Sequence, residues 1–225
     1  MQKINIAIDG YSACGKSTLA KQLAKKLNYI HVDTGAMYRA VALFCLENDI
    51  DWENNTEMQN ALSTISILFI IGENGENETF LNGKNVEGDI RGRKVSDIVS
   101  RVSAVSSVRQ FLVHQQKIMT KQKGVVMEGR DIGTVVLPDA ELKVFVMADI
   151  EIRVQRRLAE LKYNNKEASF EEVKKNLDAR DYQDTHRSES PLRQADDAKL
   201  LDNTHLSREE QLQVVFGWAK ERIES

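Results

Sequence analysis

Between an apolar run, Ile4-Asn5-Ile6-Ala7-Ile8-Asp9, and a segment whose apolar residues Leu19, Ala20, Leu23, Ala24 and Leu27 recur at helical spacing stands Gly10-Tyr11-Ser12-Ala13-Cys14-Gly15-Lys16-Ser17-Thr18. Strand, glycine loop and helix in that order is the setting in which G-x-x-x-x-G-K-[ST] forms a phosphate-binding P-loop. Gly10 and Gly15 admit backbone conformations closed to residues with a β-carbon, so the chain can curl round an anion. The amide groups of the loop and the positive end of the helix then face phosphate oxygens. Lys16 carries a charge to the β- and γ-phosphates, and the Ser17 hydroxyl is placed to ligate Mg²⁺. Residues Gly10 to Thr18 are therefore expected to bind a nucleoside triphosphate. Where its phosphate goes is decided elsewhere in the chain.

A chain of 225 residues can bury a sizeable core and fits one domain with elaborations. A formal net charge of −3 argues against a general nucleic-acid binder, which would show a strongly basic face. Cys14 and Cys45 are too few for a disulfide framework and lack metal-ligand spacing. A disulfide at Cys14 would block the loop, so a reducing, intracellular setting is expected. No apolar run approaches the ~20 residues that span a bilayer, and the N-terminus lacks a signal-peptide pattern. The expectation is a cytoplasmic monomer without membrane or nucleic-acid partners.

Beyond the loop, Tyr29 to Val32 reads as a second strand running into the polar turn Asp33-Thr34-Gly35-Ala36-Met37-Tyr38-Arg39, with a helix over Tyr38 to Leu46. Such turns at the carboxyl ends of strands are where open α/β sheets place ligand groups. Ile65 to Ile71 reads as a strand and Gly72 to Gly75 as a turn. Asn82-Gly83, between Thr79-Phe80-Leu81 and Lys84-Asn85-Val86, is a two-residue hairpin signal. An antiparallel unit is thus inserted into a chain that otherwise alternates strand and helix.

Helical spacing resumes from Ser96, with a break expected near Ser106-Ser107 and an end at Gly124. Ser100 and Arg109 stand on polar sides. Val125-Val126-Met127 is a short buried strand ending in Glu128-Gly129-Arg130-Asp131-Ile132-Gly133-Thr134, and Leu142 to Val146 is another. Arg153, Arg156 and Arg157 share a helix flank by their i, i+3, i+4 spacing. Ser169 with Glu172, and Ser207 with Glu210, are capping boxes. Arg180, Asp181, Asp184 and Arg187 close the first of these helices. Ala198 to Asp202 is the last strand. In the terminal helix Leu212, Val215, Trp218, Ala219 and Ile223 read as core.

A P-loop alone leaves open a small-molecule kinase, a GTPase switch or a motor ATPase. No guanine-reading N-K-x-D occurs, and the arginine surplus points to a second anionic ligand facing the γ-phosphate. Phosphoryl transfer is catalysed mainly by positioning and charge stabilisation. An acceptor phosphate, with a second pKa near ~6, is already anionic at neutral pH and needs no general base. Many arginines without an evident base therefore suit a nucleoside monophosphate kinase. A regulatory protein that closes on ATP without turnover is the alternative from another class.

At this level the chain resembles the bacterial cytidylate kinases over essentially its whole length. The resemblance rests on Ile8-Asp9-Gly10 before the loop, Asp33 to Arg39, the spacing of Ser100 and Arg109, Gly129 to Val136 followed by Pro138-Asp139-Ala140, and the Arg180 to Arg187 run. It implies an α/β P-loop NTPase three-layer fold with a mainly parallel central sheet. A single domain would comprise a core (1–37, 109–150, 190–225), an antiparallel monophosphate-binding insert (38–108) and a helical lid (151–189). It further implies transfer of a phosphoryl group from ATP, with Mg²⁺, to CMP or dCMP. Thr34, Arg39, Arg130 and Arg187 would hold the acceptor phosphate, Ser100, Arg109 and Asp131 the cytosine edge, and Arg180 with Asp184 the sugar. Arg153, Arg156 and Arg157 would close over ATP. Lys16, Arg130, Arg157, Arg180 and Arg187 would carry catalysis, and Ser17 would take Mg²⁺ with Asp33 or Glu128 through water. The chain departs from the family pattern at Tyr11, where proline is typical, at Cys14, where alanine is, at Thr34, which replaces a frequent serine, and at Glu128, where aspartate is common.

Overall fold

The computed structural model describes residues 2–72, 77–163 and 166–224. The chain divides into two compact units, Met1–His31 with Gln122–Ser225, and Val32–Lys121. The stretch read from sequence as an insert lies inside the second unit, and the stretch read as a lid belongs to the first.

The first unit is built on β1 (Asn5–Gly10), β6 (Val125–Gly129), β7 (Leu142–Met147) and β8 (Lys199–Asp202), with Ile30 and His31 of the edge strand β2 (Ile30–Asp33), in the order β2-β6-β1-β7-β8. β1 pairs in parallel with β6 and β7, and β7 with β8. All six residues of β1 are buried, as a central strand covered on both faces requires. The loop after β1 therefore leaves the sheet at its middle, at the carboxyl ends of the strands. Helices α1 (Lys16–Leu27) and α8 (Arg208–Glu224) pack here, Leu19, Leu23, Leu212, Val215 and Ala219 meeting Ile6, Ile8, Val144 and Val146. Trp218 is only partly buried at the margin of that cluster, with the Lys199 ammonium 5.1 Å from its ring.

Helices α6 (Ile150–Tyr163) and α7 (Phe170–His186) are held together by Val154, Val173 and Leu177. Both capping boxes form. The Ser169 hydroxyl accepts from Glu172 N while the Glu172 carboxylate accepts from Ser169 N, and Ser207 with Glu210 repeats the exchange before α8. No helix among the described residues is long and apolar enough to cross a membrane.

The second unit holds α2 (Thr34–Glu47), α3 (Asn55–Thr64), the antiparallel sheet β3 (Ile67–Ile71), β4 (Asn77–Leu81) and β5 (Lys84–Asn85), then α4 (Arg93–Val102) and α5 (Ser106–Met119). Met37, Val41, Met58, Leu62, Ile90, Ile98, Val102 and Leu112 form its core. Asn82 and Gly83, with φ of 49° and 82°, make the two-residue turn that their dipeptide signals. Of the turn expected over Gly72 to Gly75, all but Gly72 lies outside the described residues.

The sequence reading needs four corrections here. Asp33 to Arg39 is not a turn: Asp33 caps α2, its carboxylate accepting from Ala36 N at 3.0 Å, and the helix begins at Thr34. Helix α3 was not anticipated, because its apolar positions Met58, Ala61 and Leu62 are few and gain their meaning from packing. Helix α4 starts before Ser96, and the break falls at Ser103 to Val105 rather than Ser106-Ser107. Helix α5 stops at Met119, leaving Gly124, with φ of 76°, to turn the chain into β6.

Candidate active site

The loop after β1 has the geometry its glycines were chosen for. A β-carbon on Gly10 would lie 2.0 Å from the Val146 carbonyl oxygen of β7, so only glycine permits this close approach. Gly15, at φ 89°, sits at the start of α1. Ala13 takes φ 57°, a left-handed conformation costing a residue with a β-carbon ~1–2 kcal/mol. Lys16 is buried, and its ammonium donates to the Tyr11 carbonyl oxygen at 2.6 Å. Burial first, and the Arg130 charge second, push its pKa down. Cys14 is wholly buried, its thiol donating to the same Tyr11 carbonyl at 3.0 Å. The Tyr11 ring packs edge-on against Phe145, with the Arg153 guanidinium 5.3 Å from its centre.

Helices α6 and α7 clasp this loop. Asp181 accepts from Ser12 N at 3.2 Å, while Arg153 donates to the Ser12 carbonyl at 3.3 Å and pairs with Asp181. Both backbone groups of one loop residue are thus held by one buried ion pair. Arg156 donates to the side-chain oxygen and the carbonyl oxygen of Asn203, each at 2.9 Å. Asn203, itself buried, donates to the Cys14 carbonyl at 2.9 Å and to Gln211 at 2.7 Å. Arg157 pairs with Glu160 one turn along. Asp181 and Asn203 were missed as site residues. Asn203 follows directly on the end of β8, and that position, where parallel sheets gather ligand groups, was the available signal.

A second charge cluster surrounds Ser12. Arg130 donates to Asp184 at 2.7 Å and to the Ser12 hydroxyl at 2.9 Å. Arg187 lies 3.5 Å from Asp131 and 4.0 Å from Asp184, and also donates to the Ser190 carbonyl. Burial would raise the Asp184 pKa, but Arg130, Arg187 and Arg180 outweigh it and hold the carboxyl below its ordinary value. Arg130, Asp131, Arg180, Asp184 and Arg187 are thus gathered in the first unit as one group of alternating charges.

Asp9 anchors the loop that presents Arg130 and Asp131. Its two carboxylate oxygens accept from Ile132 N and Gly133 N at 2.8 and 2.7 Å. Burial outweighs these bonds and pushes its pKa from 3.8 to about 6. A raised folded pKa favours the protonated form, so its contribution to stability is full below about pH 4 and lost as pH rises through 6. Urea unfolding of the wild type and Asp9→Asn should differ by roughly 3 kcal/mol more at pH 7 than at pH 4, to the wild type's disadvantage. A pH-independent difference would contradict this assignment.

In the second unit, Thr34 is buried in the first turn of α2, and Arg39 donates to Asp33 at 2.9 Å. Arg39 is therefore not a freely solvated helix arginine. Arg109 is 2% exposed; it donates to the Ser103 carbonyl at 3.2 Å, with the Tyr38 ring 5.5 Å away. The Ser103 hydroxyl donates to the Ser100 carbonyl, so the α4–α5 corner brings Ser100 and Arg109 together.

The Ser17 hydroxyl donates to Glu128 at 2.7 Å, a pair of hard oxygen donors at the phosphate end of the loop. Mg²⁺ suits one or two such protein ligands completed by phosphates and water. No group of three or more His, Cys, Asp or Glu side chains able to hold a metal occurs among the described residues. Asp33 is engaged within its own unit as helix cap and partner of Arg39.

A P-loop following a central parallel strand, clasped by Arg153 and Arg156 of one helix and Asp181 of the next, defines a phosphotransferase of the nucleotide-binding α/β class. A solved protein from Eubacterium ventriosum shares the fold with a TM-score of 0.52 over 98% of this chain and 99% of its own, at 9% identity. The family model for cytidylate kinase matches residues 6–221. The chain is 55% identical over 215 residues to the cytidylate kinase of Bacteroides thetaiotaomicron, covering 94% of each, and 53% identical over 220 residues to that of Flavobacterium johnsoniae, covering 96% of each. This chain belongs to the cytidylate kinase family.

Proposed function

We propose that the protein transfers the γ-phosphoryl group of ATP to CMP or dCMP, giving ADP and CDP or dCDP. An acceptor phosphate oxygen attacks the γ-phosphorus, and the bond to the β,γ-bridging oxygen breaks as ADP leaves. The observation that carries this reading is the Arg130–Asp131–Asp184–Arg187 cluster beside Ser12 of the P-loop. Cations fixed at that place offset the repulsion between two phosphates, which is the main electrostatic obstacle to the reaction.

In the first unit, the amides of Gly10 to Thr18 and Lys16 take the donor phosphates, and Arg130 and Arg187 the acceptor phosphate. Arg180 and Asp184 take the sugar, and Asp131 a base edge. Arg156 and Arg157 face the donor nucleotide, while Arg153 acts through the backbone of Ser12. In the second unit, Thr34 and Arg39 serve the acceptor phosphate, and Ser100 and Arg109 the cytosine. Reading a base by its polar edge discriminates strongly, because the wrong base leaves buried groups unpaired. Ser17 and Glu128 would hold Mg²⁺, which supplies charge neutralisation of the β- and γ-phosphates when bound. No proton need be removed by the protein, since the acceptor is already anionic.

A coupled ADP-release assay across AMP, GMP, UMP, CMP and dCMP tests the reading; the expected result is turnover concentrated on the two cytidylates, and a preference for any other acceptor would overturn it. ATP binding with no ADP formed at saturating CMP would instead favour a regulatory protein. Arg39→Ala should raise KM for CMP by roughly 10–100-fold with KM for ATP little changed, the loss of one charge-assisted contact of ~1.5–3 kcal/mol. Equal losses for both substrates would remove Arg39 from the acceptor side.

A further inference from the structure

His31 lies at the end of the first unit's share of β2, on the strand that borders β6. Its Nε2 is 3.0 Å from Glu128 Oε1, and Glu128 Oε2 accepts from the Ser17 hydroxyl at 2.7 Å. The two carboxylate oxygens are therefore divided, one toward the histidine and one toward the P-loop serine. Both partners are well covered, with side-chain exposures of 15% for His31 and 4% for Glu128. A carboxylate can only accept, so Nε2 is the donor in this pair.

Glu128 carries one methylene more than an aspartate at this position would. The additional methylene adds a rotatable bond, so reaching Ser17 no longer fixes the plane of the carboxylate. A donor on the opposite oxygen restores that constraint. We infer that His31 is a positioning residue for nucleotide-bound Mg²⁺, holding Glu128 so that its Ser17-side oxygen is presented to the metal or a metal-bound water. This rests on the Mg²⁺·nucleotide reading of Ser17 and Glu128. Groups that orient a metal-side carboxylate commonly carry 10–100-fold in metal affinity when removed.

The test is calorimetric titration of ADP with and without Mg²⁺ into the wild type, His31→Leu and His31→Gln, each checked for folding by circular dichroism. The wild type should bind ADP more tightly when Mg²⁺ is present. His31→Leu should lose about tenfold of that metal-dependent gain while keeping its metal-free ADP affinity. His31→Gln, whose amide can donate to Glu128, should recover most of it. In a Glu128→Asp background, where the shorter side chain cannot span both partners, removing His31 should have little further effect. An unchanged metal-dependent gain in His31→Leu would overturn the inference, as would equal weakening of ADP with and without the metal, which marks a merely structural histidine. If the wild type itself shows no metal-dependent gain, the Mg²⁺ reading falls and the inference with it.

Discussion

Lys16→Ala is expected to lower kcat with CMP by ~10³-fold or more while changing ADP affinity by less than about tenfold. The ammonium is buried and held by the loop's own Tyr11 carbonyl, so it is fixed within the phosphate-binding loop. A preorganised cation in a water-poor site stabilises charge developing between the β- and γ-phosphates far more than it stabilises bound ADP. The amide cradle built by Gly10 and Gly15 survives the substitution, which is why binding is largely spared. Rapid-quench turnover together with ADP titration measures both quantities. A kcat within about tenfold of the wild type would remove Lys16 from the reaction, and a matching collapse of ADP affinity would mark it as a loop brace instead.

Asp184→Ala is expected to destabilise the fold by about 3–5 kcal/mol, because it leaves the largely covered Arg130 without its close counter-charge and removes a partner of Arg187. For a chain of this size that lowers Tm by roughly 6–20 °C. The pH dependence has a definite sign. Asp184 has a folded pKa below its ordinary value, so its contribution is present above about pH 4 and lost as pH falls through the depressed folded value. The Tm gap between wild type and variant should therefore narrow in acid. Asp184→Asn, which retains an acceptor for Arg130 Nε, should lose less. A Tm shift under about 2 °C for the alanine variant would show that water or Asp181 compensates Arg130.

Several elements were legible because their signals are local. The P-loop, the Asn82-Gly83 hairpin and the two capping boxes each depend on a few neighbouring residues, and each stands where its motif places it. The inner strands of the parallel sheet, β1, β6 and β7, read as apolar runs for the same reason: burial on both faces leaves little room for polar alternation. Asp33 misled because an N-cap aspartate and a polar turn look alike until the following backbone is known to be helical. Helix α3 lacked a long apolar stripe, and its place comes from packing Met58 and Leu62 into the core of the second unit.

Other site features depend on partners far apart in the chain. Asp181 meets Ser12 across 169 positions, Asn203 meets Cys14 across 189, and His31 meets Glu128 across 97. No periodicity or spacing encodes such pairs, since the sheet order and the return of α6 and α7 onto the loop create them. The sequence by itself determined that a triphosphate-binding loop and a surplus of arginines serve a family of phosphoryl-transfer enzymes, because loop chemistry is written in contiguous residue types. Only the tertiary structure decided which arginines brace the loop, which carboxylates balance the others, and which histidine steadies Glu128. Burial and charge pairing are set by what the folded chain brings within hydrogen-bond distance.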